Sequence, residues 1–161
     1  MRDNIDWDIR FIDEEEWEEA MSLAYSTFLE FDASDFSKEG IGNFRNFVSD
    51  NGLKRMFEDG FFQVIGAYHL NKLVGLIALK NNSHISLLFV DGNYHRKGIG
   101  RNLVMTVIDY SALKLHTDEL TVNASPYAVE FYHKLGFIDT SEVISSDGVQ
   151  FTPMKYVIRE S

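Results

Sequence analysis

Seven residues, His84–Val90 (HISLLFV), are apolar on both alternating faces, and a short polar loop leads from them into two glycines and an amphipathic helix. A strand with two apolar faces must be covered on both sides, so it belongs inside a sheet with helices above and below. The helix, from about Gly98 to Ala112, carries a single stripe of Ile99, Leu103, Val104, Val107 and Ile108 and covers one of those faces. These two segments commit the chain to a layered α/β architecture.

The remaining segments fill in that frame. Trp7–Ile12 alternates as a half-buried strand, and Asp13 with Glu16 forms a capping-box pattern ahead of a helix bearing Trp17, Ala20, Met21, Ala24 and Phe28. A second helix is expected over Ser37–Asp50, followed by an irregular stretch to Gly60. Phe61–Leu70 and Leu73–Lys80 read as a hairpin about Asn71-Lys72. Leu120–Asn123 is a short strand. Ser125 as N-cap, Pro126 at the first position and Gly136 as stop predict a helix over 126–135. Phe137–Ser145 and Val149–Ile158 close the chain as a hairpin around Ser146-Asp147-Gly148. The expected order is β-α-α-β-β-β-α-β-α-β-β, a mixed α/β (α+β) fold in one domain over residues 1–161.

Composition removes several classes of function. The chain has no cysteine, which excludes disulfide scaffolds, thiolate zinc sites and cysteine nucleophiles. Its five histidines lack ligand spacing, so no metal is expected. The opening MRDNIDWDIR is too polar for a secretory leader and no apolar run approaches a membrane span, so a cytoplasmic location is expected. The net charge of −10 argues against nucleic acid and anionic membranes as partners. Residues 1–60 hold 16 acidic and 6 basic residues, so the whole excess lies there. The Glu-rich run from Asp13 to Glu19 reads either as a solvated helix face or as a wall that attracts a cationic substrate.

Chemistry concentrates between Val90 and Arg101. The first turn of a helix offers free N–H groups and the positive end of the dipole, which together hold phosphate. Glycines at 98 and 100 let a pyrophosphate approach that backbone, and Arg96, Lys97 and Arg101 add positive charge. The loop lacks the Gly-Lys-Ser/Thr ending of a P-loop and the GxGxxG of a dinucleotide fold.

The segment His95-Arg96-Lys97-Gly98-Ile99-Gly100 resembles the acetyl-CoA signature of the GNAT superfamily of N-acetyltransferases, Gln/Arg-x-x-Gly-x-Gly/Ala, with His in the first place. Phe131-Tyr132-His133-Lys134-Leu135-Gly136-Phe137 resembles the second conserved region of that family. The resemblance covers residues 61–158 and implies a mixed sheet in which the strand ending at Val90 splays from its neighbour. It implies that acetyl-CoA lies in the gap, with pantetheine against Leu88, Phe89 and Val90 and pyrophosphate on the loop from His95, Arg96 and Lys97 through Gly98, Ile99, Gly100 and Arg101. Asn123 and Ser125 stand where the family has an Asn facing the pantetheine.

Tyr132, by the same resemblance, protonates the departing thiolate after direct attack by an amine in a ternary complex. The general base stays unassigned. His84, His69, Glu30 and Asp32 are candidates, and His84, at the head of the central strand, is the one carried forward. The acceptor is expected to be a primary amine on a small molecule or peptide, a small cationic one if the acidic third takes part. Acetylation of a protein N-terminus or lysine, and a non-catalytic acyl-CoA sensor or partner-binding module, are the alternatives. Family members often pair, which leaves a homodimer open.

Overall fold

The computed structural model describes residues 6–146 and 148–159. The first five residues of the opening stretch and Asp147 of the closing turn lie outside them. The strands are β1 (Asp8–Phe11), β2 (Phe62–His69), β3 (Lys72–Lys80), β4 (His84–Val90), β5 (Glu119–Ala124), β6 (Ile138–Asp139), β7 (Ile144–Ser146) and β8 (Val149–Val157). The helices are α1 (Trp17–Phe31), α2 (Lys38–Val48), α3 (Asn51–Glu58), α4 (Ile99–Tyr110) and α5 (Val129–Lys134). The sheet runs β1-β2-β3-β4-β5-β8-β6, with β7 paired to β8, and among the described residues only β4 and β5 are parallel. This is the mixed α/β fold expected, with β4 in its middle.

Each face of the sheet has its own core. On one side the α4 stripe (Ile99, Leu103, Val104, Val107, Ile108) packs with Val74, Ile85, Val122 and Tyr132. On the other, Trp17, Ala20, Met21 and Ala24 of α1 and Leu53 of α3 cover Val64, Leu76, Ala78 and Leu87. The Asp13 N–H donates to the Glu16 carboxylate at 2.9 Å, so the capping pair forms where the sequence places it.

Four local expectations are corrected. Residues 51–58 are a helix and not irregular, because the Asp50 carboxylate caps it by accepting from the Gly52 N–H at 3.1 Å and Trp17 stacks on Phe57. The β2–β3 turn is Leu70-Asn71, one residue early, with both at positive φ. The helix expected from 126 begins at Val129. The strand expected over 137–145 is broken into β6 and β7, which pair with opposite ends of β8.

Two features position the functional region. The β4–β5 ladder holds only two residue pairs, His84 with Thr121 and Ile85 with Val122. Beyond them β4 stays bonded to β3 as far as Val90 while its other edge faces no strand, so the sheet splays there. The second is a clasp between α2 and the β7–β8 turn. The Ser37 N–H donates to the Gly148 carbonyl at 3.0 Å, and the Ser37 hydroxyl caps α2 at Gly40.

Candidate active site

A cavity of about 900 Å³ fills the splay and reaches from the start of α4 to the end of α1. Its walls include Leu88, Phe89 and Val90 from the open edge of β4 and Asn123 and Ser125 from the opposite strand end. His95, Arg96, Gly98, Ile99, Gly100 and Arg101 line it from the loop and helix start, and Tyr132 from α5. The sequence-derived cofactor residues therefore converge on one volume, Lys97 alone excepted, and of the four candidate bases only Asp32 joins them. Lys97 is half-buried and is not part of the lining, and neither are His84, His69 and Glu30. His84 sits at the closed end of the splay, its Nδ1 2.8 Å from the Thr121 hydroxyl, with burial first and Lys80 second holding its pKa down.

The helix start has the character of an anion cradle. The Asn102 N–H is the first in α4 with a backbone acceptor, the Gly98 carbonyl at 3.0 Å; among the described residues no backbone acceptor meets those of Ile99, Gly100 and Arg101. Gly98 caps the helix at φ +92°, where an L side chain is strained. A Cβ built at Gly100 would touch only Phe131 at 3.5 Å and Val90 at 3.8 Å, so nothing inside the fold demands glycine there. The space in front of it is cavity. A phosphate-bearing group drawn to these N–H groups fits that space and the charges of Arg96 and Arg101.

His95 stands where the resembling signature has Gln or Arg. Its Nε2 lies 2.6 Å from the Val90 carbonyl. A carbonyl only accepts, so Nε2 carries the hydrogen. The ring ties the loop back to the end of β4 and packs on Phe31, centroids 4.4 Å apart.

Tyr132 is 3% exposed, and among the described residues no hydrogen bond ties down its hydroxyl. Burial, and then the nearby charge of Asp32, push its pKa up, so it stays protonated across the physiological range. Ser125 is not the helix cap that the sequence suggests. Its hydroxyl turns across the cavity to the Asp32 carboxylate at 3.4 Å.

At the far end of the cavity the sequence reading named only Asp32, as one of four candidate bases, and none of the aromatic residues around it. Phe28, Phe31, Phe36 and Phe44 line it together with Asp32. Phe28 stacks on Phe44 at 4.1 Å and meets Phe36 edge-on at 4.9 Å, and Phe44 reaches Phe89 at 5.7 Å. The available signal is five phenylalanines between positions 28 and 47, more than short surface helices need. Burial lifts the pKa of Asp32 to about 6, with the Asp35 charge adding to the rise and the Ser125 hydroxyl opposing it. None of Glu14 to Glu19 lines the cavity.

Among the described residues no group of three or more His, Asp or Glu could hold a metal ion, and no helix is long and apolar enough to cross a membrane.

The family model of the acetyltransferase (GNAT) domain matches residues 32–158. A GCN5-related N-acetyltransferase from Rhodopseudomonas palustris shares the fold at a TM-score of 0.82 and 21% identity, covering 98% of this chain and 99% of that one. The PaiA N-acetyltransferase of Thermoplasma acidophilum, solved with coenzyme A, gives 0.75 and 22% over 95% and 99%. The spermidine/spermine N-acetyltransferase SpeG of Vibrio cholerae gives 0.66 and 16% over 94% of each chain. No curated protein sequence matches.

Proposed function

Because the chain belongs to the GNAT acetyltransferase family, we propose that it is a single-domain N-acetyltransferase carrying the acetyl group of acetyl-CoA to a primary amine. The observation that carries this reading is the unpaired edge of β4 running into the free N–H groups of α4 along one cavity. Such an edge accepts an extended ligand as an added strand, and the helix start accepts its phosphates.

Main-chain groups of Leu88, Phe89 and Val90 would hold the pantetheine arm, with Asn123 and Ser125 facing it. The N–H groups from Arg96 to Arg101, with the Arg96 and Arg101 side chains, would hold the pyrophosphate. Lys97, half-buried beside them and outside the cavity lining, contributes field and not contact. Acetyl-CoA supplies a thioester whose carbonyl an amine attacks directly. Around that carbonyl, a strand N–H near Phe89 stabilises developing negative charge, a donor whose loss typically costs about 3–4 kcal/mol. Tyr132, kept protonated by its surroundings, gives its proton to the departing sulfur. The amine enters from the aromatic end, and both substrates occupy the cavity together. A cationic acceptor suits an acidic chain, as spermidine suits the Vibrio cholerae protein by its name.

Thermal unfolding with acetyl-CoA, coenzyme A, ATP and NAD tests this reading. A ligand at about 100 times its dissociation constant stabilises the fold by about 2.7 kcal/mol. Both coenzyme A forms should raise the midpoint by several degrees and ATP should not, after which thiol release with a panel of amines reads turnover. No shift with coenzyme A, or an equal one with ATP, removes the assignment.

A further inference from the structure

The aromatic end of the cavity contains a single anion. Asp32 is the only carboxylate among the described residues that line the cavity, and the cations Arg96, Arg101 and Lys134 come from the loop before α4, from α4 and from α5. We infer that Asp32 receives the ammonium group of the acceptor and takes its proton, and that this acceptor is a primary monoamine with an apolar or aromatic body. The inference rests on the acetyl transfer proposed above.

Three observations converge on Asp32. It is the C-cap of the fifteen-residue helix α1, where the negative end of the dipole and the last carbonyls favour a cation. Its carboxylate faces Ser125 at 3.4 Å and lies close enough to Tyr132 for its charge to act on that hydroxyl, so the acid and the base address one volume. The rings of Phe28, Phe31, Phe36 and Phe44 bound the same end, which suits one cation over an aromatic face and an apolar body behind it. A polyamine would carry a second ammonium into these walls, which hold no second carboxylate: Asp35, whose charge reaches Asp32, is exposed and lies outside the lining, and an unpaired buried charge is costly.

The protonation state supports the assignment. Burial lifts the carboxyl to about 6, which places its proton equilibrium near working pH, and the same dry surroundings depress an ammonium. The ionisable groups that face it are Asp35 on its own turn and Tyr132 from α5; no cavity cation offsets its burial. The ammonium gives one proton to Asp32 and gains a lone pair. That pair forms the C–N bond as the C–S bond breaks. The sulfur takes the Tyr132 proton, Tyr132 recovers the one shed by the new amide nitrogen, and the Asp32 proton passes to solvent.

The test is calorimetric titration of 2-phenylethylamine, 2-phenylethanol and spermidine into the coenzyme A complex, paired with the pH profile of kcat/KM. The wild type should bind phenylethylamine at least tenfold tighter than the alcohol or spermidine. Asp32→Asn should lose the preference for amine over alcohol, lose about 100-fold in rate and lose the acidic limb near pH 6. Ser125→Ala removes a donor that holds the carboxyl down, so it should move that limb upward; a purely structural Asp32 would leave the limb where it is. If Asp32→Asn does not fold, the wild-type titrations and Ser125→Ala decide. Equal binding of alcohol or spermidine, a retained amine preference in Asp32→Asn, or an unmoved limb in Ser125→Ala overturns the inference. Failure of coenzyme A to bind overturns the acetyl-transfer reading instead.

Discussion

Replacing Asp32 by Asn should make the ligand-free protein more stable. The carboxyl titrates at about 6 in the fold against an ordinary 3.8, chiefly because burial disfavours its charge. The folded state therefore holds this proton more tightly than the unfolded chain. Below 3.8 both states are protonated and there is no penalty. Between 3.8 and about 6 the penalty grows, and above about 6 it is complete, so stability falls as pH rises through that window. A fully enclosed group shifted this far would cost about 3 kcal/mol. The group is only partly buried, and halving for solvent screening leaves about 1.5 kcal/mol. Asn keeps an acceptor for Ser125 and carries no charge. Thermal unfolding without ligand should place Asp32→Asn about 3–6 °C above wild type at pH 8, with about half that gap at pH 5. Equal midpoints at pH 8, or a gap that ignores pH, would refute the claim that this carboxylate is held against its preference.

Tyr132→Phe should lose about 100-fold or more in turnover while coenzyme A affinity stays within about twofold, as stopped-assay rates and calorimetry will read. Gly100→Ala should weaken coenzyme A binding at least tenfold yet leave the fold unharmed, because the new Cβ meets only Phe131 and Val90 at ordinary distance. His133 donates to Asp139 at 2.6 Å and lies 3.7 Å from Glu130, which raises its pKa. That contribution is present below the ordinary value of 6.5 and is lost as pH rises through the folded value, so Asp139→Asn should lower the midpoint at pH 6 and not at pH 9. Gly148→Ala places a Cβ on the Ser37 hydroxyl at a positive φ of 78°, and denaturant titration should show a loss of about 1–3 kcal/mol.

The half of the cavity proposed to hold the cofactor was legible as a cluster because its residues are local in the sequence. His84–Val90, the glycines at 98 and 100 and the run from Phe131 to Phe137 each carry their meaning within a dozen residues, and the structure gathers them along one splay. The half proposed for the acceptor is not local. Asp32 meets Ser125 across 93 positions, and a carboxylate at a helix end reads as solvated until burial and that partner are known. Ser125 shows the same limit from the other side, since a serine before a proline fits an N-cap but this hydroxyl serves the cavity. The missed helix at 51–58 depends on its Asp50 cap and on packing against Trp17, and a single window of sequence contains only the first of these.

The two-pair seam between β4 and β5 also bears on how the molecule holds together. It divides the sheet into two blocks, β1–β4 with antiparallel neighbours throughout and β5–β8 built from residues 119–157. Along the seam the sheet lacks most of the ladder that joins neighbouring strands elsewhere, and α4, packed across both, is the main covalent and apolar bridge. A ligand bound in that gap as proposed would act as an interior strand and so join the two blocks as well as occupy a site. Amide exchange at Leu87, Leu88, Phe89 and Val90 should slow on binding, and so should exchange in β5, which has no need to touch the ligand to feel the seam close.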